Sequence, residues 1–233
     1  MSTIKQRAKH LLGTNFFEEP NSAEYVAPMV LSPPVEDQYV LRCPLVVLGQ
    51  PYSLPNEMNW CADFIQACMN YQLKVIGVNQ PYMYLTIRHG KVISETDDEW
   101  HVDGFSMKVP HIPEQNYIWT SANPTEITSF GLHIPDDFDP LHHNLQLLIQ
   151  DSLPTNAKIA TLEPQTIYAM DPYVFHRRPT VETGQTRTFL RLSFTPIPID
   201  DVNNHTNPAF GKITTSYDGV KDFRDKLSRY VAK

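Results

Sequence analysis

The residues best placed to do chemistry lie in two short stretches. Glu99-Trp100-His101-Val102-Asp103-Gly104-Phe105 offers an imidazole and a carboxylate two positions apart, and Phe175-His176-Arg177-Arg178-Pro179 offers a second imidazole. Two histidines and one carboxylate form the ligand set of a non-haem Fe(II) centre with open coordination positions. In a β-strand, residues i and i+2 project from the same face, so His101 and Asp103 would reach one ion together while Val102 points away. The third ligand must come from a neighbouring strand. His176 sits in Tyr173-Val174-Phe175-His176, an aromatic and β-branched run of strand character. Three ligands on one side of an ion leave the other side for substrate and oxygen, as in a catalytic rather than a closed structural site.

His-x-Asp alone is a short pattern in a chain with nine histidines, and the sequence after His176 adds to it. Beyond the turn-like Arg178 to Gln185 comes the strand Arg187-Thr188-Phe189-Leu190-Arg191-Leu192-Ser193-Phe194. Period two puts Arg187, Phe189, Arg191 and Ser193 on one face and Thr188, Leu190, Leu192 and Phe194 on the other. Arginines on a half-buried face call for anionic partners, and the guanidinium fork suits a carboxylate. Arg191 thus hints at a substrate bearing a carboxylate or other anion. Arg88, in phase with Tyr82, Tyr84 and Thr86 on another expected strand, is a candidate pocket residue whose simpler reading is a strand-end surface arginine. His111, His133, His142 and His143 have no His-x-Asp or His-x-His partner and read as ordinary surface or core residues.

Together His101, Asp103, His176 and Arg187, the last at an interval of eleven from the distal histidine, resemble the signature of the Fe(II)/2-oxoglutarate-dependent dioxygenases, with an arginine spacing similar to the taurine-dioxygenase-type branch. The resemblance covers roughly residues 81–195. It implies that His101, Asp103 and His176 hold Fe(II), that Arg187 binds the distal carboxylate of 2-oxoglutarate, and that Arg191 and Ser193 lie beside the cosubstrate or face the substrate. A variant of the family anchors the keto acid with Arg-x-Ser, which Arg191-Leu192-Ser193 also matches. By the same resemblance, Thr125 would offer the cosubstrate a polar contact and Trp119 an aromatic pocket wall. The implied reaction converts 2-oxoglutarate and O2 to succinate and CO2 while oxidising a substrate C–H bond, with hydroxylation the simplest outcome. Asp103 disfavours halogenation, since family halogenases generally lack that carboxylate. The gap between the metal motifs is shorter than is usual in the taurine-type enzymes, so no subfamily substrate is carried over. Two other readings remain open: a cupin-type metal oxygenase or isomerase that uses no keto acid, and a non-catalytic β-sandwich binding module.

The expected scaffold is mainly β with flanking helices, a double-stranded β-helix (jelly roll, cupin-like) forming a single domain over residues 1–233. A helix is expected over Thr3–Leu12, a strand over Tyr39–Leu48, and a helix over Glu57–Gln72, where Trp60, Phe64, Ala67 and Tyr71 make one apolar stripe. Further strands are expected at Lys74–Val78, Tyr82–Arg88, Trp100–Met107, Asn116–Ser121, Thr128–His133, Lys158–Thr161, Thr166–Ala169, Pro172–His176 and Arg187–Pro196. Asp218–Val231 reads as a closing helix.

With 41% apolar residues, 233 residues suffice for a sizeable core. A formal charge of −7 and the lack of a basic run argue against nucleic acid and for a small-molecule substrate alongside O2. Neither a signal-like segment nor a membrane-length apolar run is visible, and Cys43, Cys61 and Cys68 form no paired framework. The expectation is a cytoplasmic protein with reduced thiols.

Overall fold

The computed structural model describes residues 23–77, 80–93, 99–103, 115–139, 142–170, 174–199, 203–211 and 228–231. Among these, the strands are β1 (Glu24–Pro28), β2 (Gln38–Val46), β3 (Tyr82–Lys91), β4 (Gln115–Thr120), β5 (Glu126–Thr128), β6 (Ile159–Thr161), β7 (Thr166–Met170), β8 (Phe175–Arg177) and β9 (Thr186–Thr195). The α-helices are α1 (Ala62–Tyr71), entered through a 3-10 turn at Asn56–Cys61, and α2 (Leu145–Ser152).

Six strands form an antiparallel sheet in the order β1-β7-β4-β9-β3-β2, and three form a smaller one in the order β6-β5-β8. Two antiparallel sheets with short flanking helices are the expected jelly-roll, cupin-like architecture. The spine is the β3–β9 pair, in register over ten positions from Tyr82 opposite Thr195 to Lys91 opposite Thr186.

The two faces of β9 separate as period two requires. Leu190, Leu192 and Phe194 join Leu85, Ile87, Tyr117 and Ile167 in a core that α1 closes with Phe64, Ile65 and Cys68. Fully burying each such side chain stabilises by about 1.5–3 kcal/mol, so this face supplies much of the driving force. Trp60, Ala67 and Tyr71 of the expected stripe pack at its margin. Cys43, Cys61 and Cys68 are free and buried there, and burial pushes the Cys43 and Cys61 thiols up to about 12.

The opposite face of the large sheet meets the small one. Ile118 and Met170 pack with Val174, Leu162 and Ile127 in a thin core between the layers. Outside the small sheet a third core gathers Trp100, Leu132, Ile134, Phe138, Phe175 and the α2 residues Leu145, Leu148 and Ile149.

Several expectations need correction. Of the strand placed at 74–78, residues 74–77 are described and form none: α1 continues as a π-turn over Gln72–Ile76, the Gly77 N–H bonds back to the Gln72 carbonyl at 2.9 Å, and Gly77 ends the turn in the left-handed conformation at a φ of 72°. Val75, within the expected strand, is more than half exposed, as is the preceding Leu73. The strand placed at 128–133 ends at Thr128, although Leu132 and Ile134 keep the alternation and are buried without ladder partners. Of the strand placed at 100–107, residues 100–103 are described, and His101 alone among them is paired. The helix at 3–12 and nearly all of that at 218–231 lie outside the described residues. β1 and α2 had no counterpart in the reading of the sequence. Among the described residues no helix is long and apolar enough to cross a membrane.

Candidate metal centre

His101 and His176 lie directly opposite each other and exchange both backbone hydrogen bonds, each at 3.0 Å. Such a pair projects its side chains to one face, and the two rings stand 4.3 Å apart. That face points between the sheets, because alternate neighbours go the other way. Trp100 and Phe175 are buried in the outer core with Val102 against it, and Arg177 lies 4.6 Å over the Trp100 ring while bonding Glu126 at 2.7 Å. α2 braces the same segment through Gln150, whose amide donates to the Trp100 carbonyl.

Each imidazole is oriented by its own chain. His101 Nδ1 lies 2.9 Å from the Glu99 carbonyl and His176 Nδ1 lies 2.8 Å from the Val174 carbonyl. A carbonyl only accepts, so both Nδ1 atoms carry a proton, and in the neutral form of each ring the lone pair lies on Nε2. This is the arrangement in which a backbone carbonyl fixes a metal-ligating histidine. Burial, reinforced by the charge of His101, pushes His176 down to about 4 against the opposing pull of Asp103, so His176 is a neutral donor near pH 7.

Asp103 completes the cluster. One ligand atom from each of His101, Asp103 and His176 lies within 4.8 Å of the others, and His176 Nε2 is 3.7 Å from Asp103 Oδ2. That gap is too long for a hydrogen bond, whereas ligands on one face of an ion, each about 2.1 Å from it, sit about 3 Å apart. Two imidazoles, a carboxylate and this near-closed spacing fit a divalent ion. Burial opposes ionisation of Asp103, but Arg191, His176, His101 and Arg42 outweigh it and hold the carboxyl well below the usual carboxylate range.

Arg191 reaches Asp103 itself: Nη1 donates to Oδ1 at 2.9 Å, with both side chains largely buried. Ser193 also turns to this network, donating to Asn116 Oδ1 at 2.6 Å, while Asn116 Nδ2 donates to Asp103 Oδ2 at 3.2 Å. Arg187, four residues from Arg191 on the same face of β9, is about 13 Å away along the strand. Its Nε donates to the carbonyls of Ala122 and Asn123, and its guanidinium lies 5.5 Å from the Phe189 ring centre. Thr125 is buried just beyond that loop.

Two candidates fall elsewhere. Trp119 shares a face of β4 with Tyr117 in the α1-side core and donates its indole N–H to the Met29 carbonyl at 2.9 Å, so it walls that core and not the space beside the ligands. Arg88 shares the site-facing side of β3 but sits opposite Phe189 near the strand end, where it is exposed. His133 and His142 are exposed, and His143 Nδ1 accepts from the Asp139 backbone N–H, so none of these joins the cluster.

Asn116 and Arg42 went unnoticed in the sequence. Asn116 carried a signal, since a polar residue in phase with Ile118 and Thr120 on a buried strand needs a partner. Arg42 sits in a β-bulge between Val40 and Cys43 at a φ of 44°, its N–H donating to Thr86 Oγ1, and its charge acts on Asp103. Bulges re-aim side chains and cluster near active sites, but nothing in Val40-Leu41-Arg42-Cys43 announces one.

A jelly roll enclosing a two-histidine, one-carboxylate cluster between its sheets is the molecule that fold and site define. No protein-family model and no curated protein matches the sequence. Among solved structures, the chain is similar to EvdO2 from Micromonospora carbonacea var. aurantiaca at 16% identity and a TM-score of 0.43, over 69% of this chain and 74% of that one. It is also similar to AviO1 from Streptomyces viridochromogenes Tue57, at 16% identity, a TM-score of 0.38 and 84% coverage of both chains. HygX from Streptomyces hygroscopicus, solved with nickel and 2-oxoglutarate bound, matches at 12% identity and a TM-score of 0.41, over 81% of this chain and 84% of that one.

Proposed function

We propose that this protein is an Fe(II)- and 2-oxoglutarate-dependent oxygenase that hydroxylates a C–H bond of a small molecule. The observation that carries the reading is the convergence of His101, Asp103 and His176, with both imidazoles held so that Nε2 faces the same point. With both Nδ1 atoms turned to backbone carbonyls and a third ligand atom from Asp103 within reach of both rings, the cluster favours a metal site over a non-catalytic module.

His101, Asp103 and His176 would hold the metal, and Arg187 would pair with the far carboxylate of the keto acid, its guanidinium steadied by the Ala122 and Asn123 carbonyls. When bound, metal and keto acid supply the oxidation: 2-oxoglutarate, O2 and R–H become succinate, CO2 and R–OH. The protein contributes position and dryness. Ile118, Met170 and Val174 pack together between the sheets and exclude water from that part of the layer. The expectation of a carboxylate-bearing substrate rested on Arg191, which bonds Asp103; Arg42 is a second arginine whose charge reaches that carboxylate.

The test is succinate formation by protein reconstituted anaerobically with Fe(II) and then given O2. Succinate should appear only with both Fe(II) and 2-oxoglutarate present, and slowly without substrate when ascorbate is supplied to take up the remaining oxidising equivalents. Oxygen consumption that needs Fe(II) but is indifferent to the keto acid would favour a cupin-type oxygenase instead.

A further inference from the structure

Arginines at positions 187 and 191 share one face of β9, and either matches a way of anchoring a keto acid. The hydrogen bonds distinguish them. Arg191 Nη1 bonds Asp103 Oδ1 at 2.9 Å, and Ser193 is occupied with Asn116. The Arg-x-Ser pair is thus turned toward the metal carboxylate from two sides, directly through Arg191 and indirectly through the Ser193–Asn116 bond.

We infer that Arg191, Asn116 and Ser193 form a positioning cradle for Asp103, leaving the keto-acid carboxylate to Arg187. This rests on the oxygenase reading above. The physical argument follows the lone pairs. A carboxylate has two oxygens that can both bind one ion, and chelation by both would take up a coordination position that chemistry needs. With Oδ1 held by Arg191, Asp103 presents Oδ2, the oxygen facing His176 Nε2.

Asn116 fixes the tilt of that oxygen. Asp103 sets the orientation of the Asn116 amide: a carboxylate only accepts, so the amide nitrogen faces Oδ2 at 3.2 Å and the amide oxygen is left to accept from the Ser193 hydroxyl at 2.6 Å. Asn116 and Ser193 are 1% and 3% exposed, and they are direct cross-strand partners on β4 and β9, so both are fixed by the most regular part of the sheet. Among the described residues, the segment bearing His101 and Asp103 is paired through the His101–His176 bridge, and Asp103 lies two residues beyond it. The cradle ties this less supported carboxylate to the rigid wall.

Two equilibria separate the roles: Co(II) binding to metal-free protein, followed by its d–d absorption, and 2-oxoglutarate binding to the Co(II)-loaded protein. Asn116→Leu should weaken Co(II) roughly 10- to 100-fold, the range for removing a partner behind a metal ligand. Ser193→Ala, a milder change, should weaken it by a smaller factor, with both variants keeping the wild-type circular dichroism. Arg187→Met should bind Co(II) like wild type but lose keto-acid affinity at least tenfold. Arg191→Met, once loaded, should keep keto-acid affinity within a few-fold and show an altered d–d spectrum as Asp103 gains freedom.

The inference is overturned if folded Asn116→Leu and Ser193→Ala both bind Co(II) as wild type does. It also fails if Arg191→Met loses the keto acid as Arg187→Met was expected to. Wild-type protein that binds no Co(II) would remove the oxygenase reading and this inference together, whereas wild-type binding with unresponsive variants removes the inference alone.

Discussion

The two sheets differ in how they are held. β3 and β9 of the large sheet run ten paired residues each, with an apolar face sealed by α1, whereas β5, β6 and β8 of the small sheet are three residues long. Yet the small sheet carries His176 and, through one bridge, the segment bearing His101 and Asp103. The long strands supply stability and a fixed polar wall; the short ones supply the ligands. The lesson is that a ligand strand as short as β8 can be held by packing from outside and, on the proposed reading, by a shared ion from inside.

Breaking the ligand side should have the largest effect on binding. His176→Ala should lower Co(II) affinity by more than about 100-fold, beyond what removing an outer partner does, and should abolish succinate formation while far-UV circular dichroism is retained. Breaking the wall should affect stability instead. Leu192→Ala should lower the unfolding free energy by about 2–5 kcal/mol in urea titrations, with Co(II) affinity of the remaining folded protein close to wild type. If Leu192→Ala moved metal affinity as far as His176→Ala does, the division between the sheets would be wrong.

The brace should show an intermediate effect. Arg177 bonds Glu126 and covers Trp100 on the outer side of β8, both partners of the ion pair being partly exposed. Arg177→Met should cost on the order of 1 kcal/mol and a few-fold in Co(II) affinity. Arg88→Ala, an exposed change near the end of β3, should stay within about 0.5 kcal/mol of wild type and leave keto-acid binding unaltered.

What was legible in the sequence follows from period two. It was enough to set His101 with Asp103 and to divide β9 into a polar and an apolar face, because in each case one face was chemically unlike the other. On β4 the expectation for Trp119 came from the resemblance: Tyr117 and Trp119 face α1, whereas Ile118, in phase with Asn116 and Thr120, faces the small sheet, so the aromatic residue read as a pocket wall belongs to the other core. The destination of Arg191 required knowing that Asp103 lies across from β9, a contact over 88 positions of sequence. Arg42 depended on a bulge that leaves no mark in composition. α2 was more accessible: Asn144 caps it by accepting from the Gln146 N–H, and Leu145, Leu148 and Ile149 have helical spacing. Its eight residues are fewer than the window over which helical periodicity becomes distinct.

The central claim, a three-ligand metal site paired with a keto-acid anchor, is tested most directly by a crystal structure of the protein grown without oxygen in Mn(II) and 2-oxoglutarate. The account predicts one ion bound by His101 Nε2, His176 Nε2 and a single oxygen of Asp103, with the keto acid on the ion and its far carboxylate on Arg187. An ion bound elsewhere, or a keto acid whose far carboxylate lies on Arg191 with Asp103 released, would contradict it.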